Sequence, residues 1–264
     1  MRVTKVMILL LAGGLCFLPS CIFVDFPWNM DLPGPAEFHK VIDFEPGGTI
    51  QLENAAGDVE IRGWDESRVE ITAVQEEERS FGWSWSGRRN MRPEPRVEMD
   101  KDAQMLSIKT PGPGSGDEET LVHYVISVPR SVKLKDIQVG RGSVIIADLY
   151  GELKLSLKEG DLTIENYSGS FEAVVENGQV EAEVLDLRAG DMISIVCTRG
   201  DVELALEKNV GARIEAEAPL GTVGGSFNLK AGADGHTLSA VLGEGKATVN
   251  IKAADGDIRL ETAK

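Results

Sequence analysis

The sequence predicts an all-β fold, a single-domain β-solenoid, on three observations. Gly142, Gly151, Gly160, Gly169 and Gly178 stand nine residues apart, and Gly190, Gly200, Gly211 and Gly221 follow at spacings of 12, 10, 11 and 10. Most of these glycines are followed by a small or polar residue and then by alternating apolar positions, as in Gly142-Ser-Val-Ile-Ile, Gly160-Asp-Leu-Thr-Ile and Gly200-Asp-Val-Glu-Leu. A shift of 18 residues matches better than a shift of nine: Val144 falls on Leu162 and Val180, and Ile146 on Ile164 and Ala182. One coil is therefore two short strands and two turns, 18–22 residues in all, stacked in parallel on the next at about 4.8 Å. An antiparallel meander with regular turns is the alternative that alternation alone leaves open.

Taken from its start, the chain opens with a targeting segment. Arg2 and Lys5 precede an apolar stretch from Val6 to Leu18 that is short for a membrane span. Leu18-Pro19-Ser20-Cys21 then resembles a bacterial lipobox, so residues 1–21 are expected to be a lipoprotein signal peptide with Cys21 as the lipidated residue. An ordinary signal peptide cleaved nearby, or an uncleaved anchor, are the other readings. With Ile22 after the cysteine, sorting to an outer membrane is expected in a cell that has one. Residues 22–36 mix Phe23, Phe26 and Trp28 with Pro27, Pro33 and Pro35 and fit neither period; they are expected to be a tether or a segment packed on the first strands.

Residues 37–139 are expected to be a less regular N-terminal β region. Thr49–Glu53 and Gly57–Ile61 form a candidate hairpin, followed by strands at Arg68–Val74, Arg96–Met99, Met105–Lys109 and Leu121–Val128. Within it, residues 76–95 open with three glutamates, followed by Phe81-Gly-Trp83-Ser-Trp85-Ser-Gly and then by Arg88, Arg89 and Arg92. Phe81, Trp83, Trp85, Arg88 and Arg89 make a candidate partner-binding loop, since aromatic and arginine side chains dominate binding energies; a hairpin with its tryptophans folded onto the sheet is the competing reading. Residues 140–264 carry the solenoid repeats. In them Val144, Ile146, Leu153, Leu155, Leu157, Leu162, Ile164, Phe171, Ala173 and Val175 should point inward, with Lys154, Ser156, Lys158, Thr163, Glu165, Glu172 and Glu176 outward. By the same count Ile193, Ile195 and Cys197 point inward, so Cys197 is expected to be a small buried apolar residue and not a nucleophile.

These residues resemble a known family. Gln51 to Asp65, the block Val125-Ile-Ser-Val-Pro129, and the closing Ala254-Asp-Gly-Asp-Ile-Arg-Leu260 are similar to motifs of the bacterial "putative adhesin" family of β-solenoid domains of unknown function, related to the head domain of autotransporter adhesins. The resemblance covers roughly Phe38 to Thr262. It implies a right-handed, β-helix-like solenoid, a cell-envelope location and no catalytic residues to carry over. The Trp83/Trp85 loop is not part of the family's pattern.

Composition narrows the function. The formal charge of −16 becomes −18 once Arg2 and Lys5 leave with the signal, which repels nucleic acid and anionic lipid. No nucleic-acid partner is expected; the expected partners are the membrane, through the anchor at Cys21, and an envelope protein or glycan. The Gly-Asp pairs at Asp58, Asp161, Asp191, Asp201 and Asp257 invite comparison with calcium-binding nonapeptide repeats. The doubled glycine of those repeats is missing, so each aspartate is expected to hydrogen-bond the backbone of its own turn, with no metal and no cofactor. His39, His123 and His236 stand in unrelated contexts, and the many glutamates are interleaved with lysine. The sequence thus reads as a non-catalytic structural, adhesive or binding lipoprotein of the cell envelope, facing the outer membrane or periplasm in a diderm cell. The alternatives are an accessory lipoprotein of an envelope-stress or signalling system, and a glycan-active β-helix enzyme.

Overall fold

Alternating apolar residues with glycine at the breaks give strand after strand. The structure, a computed structural model, describes residues 37–77, 97–102, 104–110, 120–227 and 235–263. The signal segment, Cys21, the tether and the loop bearing Phe81, Trp83, Trp85, Arg88 and Arg89 lie outside the described residues. The N-terminal strands are β1 (Glu37–Asp43), β2 (Thr49–Ala56), β3 (Val59–Trp64), β4 (Arg68–Glu77), β5 (Glu98–Lys101), β6 (Met105–Lys109) and β7 (Thr120–Pro129). The repeats supply β8 (Lys133–Arg141), β9 (Val144–Ala147), β10 (Tyr150–Glu159), β11 (Leu162–Asn177), β12 (Val180–Asp186), β13 (Met192–Arg199) and β14 (Val202–Leu206). After them come β15 (Ala212–Glu217), β16 (Val223–Gly225), β17 (Thr237–Val241), β18 (Ala247–Asp255) and β19 (Ile258–Thr262).

These strands form one sheet curled into two stacks. The first stack runs β5–β6–β2–β8–β10–β11–β13–β18–β15–β17, using the second half of β11. The second runs β1–β4–β7–β3–β9–β11–β12–β14–β19–β16, using the first half of β11. Pairing is parallel through the body and antiparallel only at the ends, in β1–β4, β4–β7, β5–β6 and β15–β17. The meander reading therefore fails for the repeats, and the 18-residue register holds: Val144 pairs with Leu162 and Leu162 with Val180, as Ile146 does with Ile164 and Ile164 with Ala182. All ten residues expected inward in β9 to β11 are buried, and Cys197 is fully buried with its thiol against the carbonyl oxygens of Gly178 and Gly200, each at 3.4 Å. Burial pushes that thiol's pKa up.

Among the described residues, the coils pass from the first stack to the second at one corner, and glycine occupies that corner in Gly57, Gly142, Gly160, Gly178, Gly200, Gly256 and Gly221. The reason is contact between coils. Gly160 has φ +134°, and a Cβ there would lie 2.6 Å from the carbonyl carbon of Gly142 in the coil below, far inside van der Waals contact. At the opposite corner Tyr167 is buried; its hydroxyl donates to the carbonyls of Gly151 (3.0 Å) and Ser170 (3.1 Å), and its ring meets Phe171 edge-on at 5.7 Å. Burial pushes the Tyr167 phenol far above its usual pKa, with the Asp191 and Glu152 charges adding to the effect.

The N-terminal region corrects one expectation. Thr49–Glu53 and Gly57–Ile61 do not pair with each other as a hairpin. β2 pairs with β6 and β8, and β3 with β7 and β9, so the two strands are one coil. The turn between them is tied to both neighbouring coils and to itself: Gly57 N–H donates to Arg141 O at 2.8 Å, and the buried Asn54 amide donates to Val122 O at 2.9 Å and to Gly57 O at 3.1 Å. The coils are also out of sequence order at both ends. β2–β3 lies between β6–β7 and β8–β9, and β18–β19 lies between β13–β14 and β15–β16.

Candidate functional site

With the inner rows spent on the core, chemistry falls to the outward rows, and the two stacks differ sharply there. On the first stack, outward residues of successive strands line up as Lys154, Glu172, Ser194, Asn250, Glu215 and Ser239, and beside them as Ser156, Val174, Val196, Lys252, Glu217 and Thr237. Short side chains in the middle of these rows leave a trough between the longer ones. Its wider part, about 700 Å³, is lined by Ser194, Val196, Glu215, Glu217, Ser239, Asn250 and Lys252. A second part, about 470 Å³, lies among Lys135, Asp136, Glu152, Lys154, Glu172 and Met192, and Ser194 belongs to both. A bulge in β8 shapes that second part. The registers of β8 with β2 and with β10 both slip there, Asp136 takes φ +57°, and Gln51 Nε2 donates to its carboxylate at 3.2 Å.

Carboxylates outnumber lysines in the trough, Asp136, Glu152, Glu172, Glu215 and Glu217 against Lys135, Lys154 and Lys252, and each of those lysines is paired. Lys135 meets Glu152 at 3.2 Å, Lys154 meets Glu172 at 3.5 Å, and Lys252 meets Glu217 at 3.3 Å. These pairs are half-exposed and contribute little to stability, but each leaves its lysine with a counter-charge. Apolar surface borders the short polar residues Ser194 and Asn250, with Met192 54% exposed and Val196 38%. The second stack is the opposite: a groove of about 560 Å³ is lined by Glu165, Glu181, Glu183, Glu203 and Glu261. Among the described residues only Glu203 of these five has a basic side chain in ion-pair range, Arg259 at 3.4 Å.

The Gly-Asp corners correct a second expectation. Asp191 does serve its own turn, accepting from Arg188 N–H at 2.7 Å. The others reach across to a neighbouring coil: Asp58 accepts from Ser143 N–H (2.8 Å), Asp161 from Gln179 N–H (2.8 Å), Asp201 from Asp257 N–H (2.8 Å), and Asp257 from Thr222 N–H (2.7 Å). The N–H groups of Ser143, Gln179, Asp257 and Thr222, each the residue after a stacked glycine, point along the stack, so their acceptors come from the adjoining coil. Backbone N–H donation from Thr222, helped by the Thr222 hydroxyl, holds the Asp257 carboxyl below its usual pKa. Among the described residues no group of three His, Cys, Asp or Glu side chains is placed to hold a metal ion. The histidines are dispersed: His39 lies 3.0 Å from Glu70, His123 sits between Asp58 and Glu76, and His236 lies 2.6 Å from the carbonyl of Gly221.

The family model that matches this chain is Toastrack DUF4097, over residues 48–261, from the start of the β2–β3 coil to the last strand. The chain belongs to the Toastrack DUF4097 family. Solved structures similar to this Toastrack chain include a "putative cell adhesion protein" of Clostridium sporogenes, 19% identical, with 87% of this chain and 100% of that one covered and a TM-score of 0.49. Another is a "putative adhesin" of Bacteroides fragilis, 10% identical, covering 86% of this chain and 98% of its own at a TM-score of 0.32. No curated protein matches this Toastrack chain. The trough residues went unmarked in the sequence. Ser194, Asn250 and Ser239 come from three separated strands, and the one signal available was the replacement of long charged outward residues by short polar ones.

Proposed function

We propose that this Toastrack chain is a non-catalytic binding module of the cell envelope, anchored through lipid on Cys21, and that it presents the first-stack trough to its partner. The trough carries this reading: it is the place where the charged coat of the solenoid gives way to short, neutral and apolar side chains. A general acid or base must keep a proton or a lone pair for substrate; here the lysines are matched by glutamates, which suits binding better than proton transfer. The lipobox-like Leu18 to Cys21 supports the anchor. Two measurements test the proposal on the full chain. Cys21→Ser should abolish incorporation of a fatty-acid analogue, and retained labelling refutes the anchor. Association with isolated envelope should fall when Ser194→Arg fills the trough and persist when Thr163→Arg alters the other face; equal association of the two variants refutes the trough.

A further inference from the structure

Resting on the trough as the binding surface, we propose that its ligand is an uncharged, hydroxyl-rich polysaccharide laid across the strands. Charge decides first. Lys135, Lys154 and Lys252 each have a glutamate within 3.5 Å, so among the described lining residues no lysine is left unpaired for a polyanion, and the surplus carboxylates of the lining repel one, on a chain of net charge −16. A polycation is drawn instead to the glutamates of the second stack, where four of the five lack a basic partner in ion-pair range among the described residues. Hydrogen-bonding character decides next. An extended peptide docks most readily by adding a strand to a sheet edge, whereas the trough floor is a sheet face whose backbone groups are committed to the ladders on either side. Recognition there falls to side chains. Ser194, Asn250 and Ser239 carry groups that both donate and accept, as sugar hydroxyls do, and they stand on β13, β18 and β17 of one row in which Glu215 of β15, between Asn250 and Ser239, adds a carboxylate that accepts from hydroxyls.

Shape and apolarity agree. Sugar rings have C–H faces as well as hydroxyl edges, and the exposed Val196 and Met192 border the polar row. Seven strands, β8 to β17, cross the trough; at the usual strand spacing that is about 30 Å, room for an oligomer and not for a single ring.

The test is calorimetric titration of the full chain with neutral hexasaccharides (β-1,3-glucan, β-1,4-glucan and N-acetylated chitin oligomers), with hyaluronan oligomers and polylysine as charged probes. The expected result is binding of at least one neutral oligomer, with affinity changed less than about twofold between roughly 50 and 500 mM salt. Ser194→Arg should weaken it at least about tenfold, equivalent to about 1.4 kcal/mol. Asn250→Ala, which removes the amide without adding bulk, should weaken it severalfold, and Thr163→Arg should leave it unchanged. Polylysine should bind in a salt-sensitive way that Ser194→Arg does not alter. The inference is overturned if no neutral oligomer binds, if hyaluronan binds better, or if neutral binding survives Ser194→Arg in a variant with wild-type melting. Envelope association that still depends on the trough while every neutral oligomer fails would overturn the glycan and leave the binding module standing. Association indifferent to the trough would remove the module's site itself.

Discussion

Gly160→Ala isolates what the stacked glycine corner contributes. The new methyl would sit 2.6 Å from the Gly142 carbonyl carbon, while apolar contact needs about 3.5 Å, so the two coils must part by roughly 1 Å at the corner. Two bonds close that gap, Gly142 N–H to Glu159 O at 2.9 Å and Val144 N–H to Asp161 O at 2.8 Å. Losing both costs about 2 kcal/mol. Holding a non-glycine residue at φ +134° adds about 1–3 kcal/mol, for a total of about 3–5 kcal/mol. Gly190 provides the control: its φ is +91°, but nothing lies within 4 Å of a Cβ there, so Gly190→Ala incurs only the backbone term of about 1–3 kcal/mol. Urea denaturation of both variants measures the difference, and for a domain of this size each kcal/mol also moves Tm by about 2–4 °C. Equal losses in the two variants would refute the idea that contact between coils, and not backbone conformation alone, keeps glycine at the corner.

Leu155→Asp places a charge in the buried row and should cost several kcal/mol, whereas Ser156→Asp, one residue on and exposed, should stay within about 0.5 kcal/mol; equal melting temperatures would show the register to be wrong. Asp161→Ala removes the acceptor of Gln179 N–H and should cost about 1 kcal/mol, and Asp161→Asn, which keeps an acceptor oxygen, should cost less. Because the aspartates are engaged with backbone, excess EDTA should leave the melting temperature unchanged, and a fall on chelation would reinstate a metal at the corners. The Asp257 carboxyl is held below its unfolded value of 3.8, so its contribution is present above that pH and lost as pH falls through the lower folded value. Acid titration of stability should therefore be flatter below about pH 4 in Asp257→Asn than in the parent, and superimposable curves would refute the assignment.

The central coils were legible because their information is local. Glycine spacing sets where each strand ends, alternation sets which side faces in, and the 18-residue shift sets the neighbour, so Val144, Leu162 and Val180 could be stacked on paper. The first coil was hidden because its neighbours lie far away in sequence: Val59 pairs with Tyr124 and Val144. A signal for it was present, since Gly57-Asp-Val-Glu-Ile matches Gly200-Asp-Val-Glu-Leu residue for residue until the last. The aspartate partners were misplaced because a turn residue is ordinarily satisfied within its turn, and only the stack shows the next coil to be nearer. The trough depends on β18 lying between β13 and β15, an ordering that no local pattern encodes.

That ordering limits how the molecule can be assembled and altered. A solenoid with its coils in sequence order could fold as it emerges, each turn resting on the one before. Here Ile214 waits for Val249, and Val223 for Ile258, so residues 212–225 find their parallel neighbours only after β18 and β19 have been made. Deleting β19 would therefore not trim an end; it would leave β14 paired on the β12 side alone and β16 without any parallel partner. The same constraint confines change in length to the span from β8 to β14. An 18-residue coil duplicated there meets matching neighbours on both sides, whereas one added near either end would have to pass through the interleaved strands that close the stack.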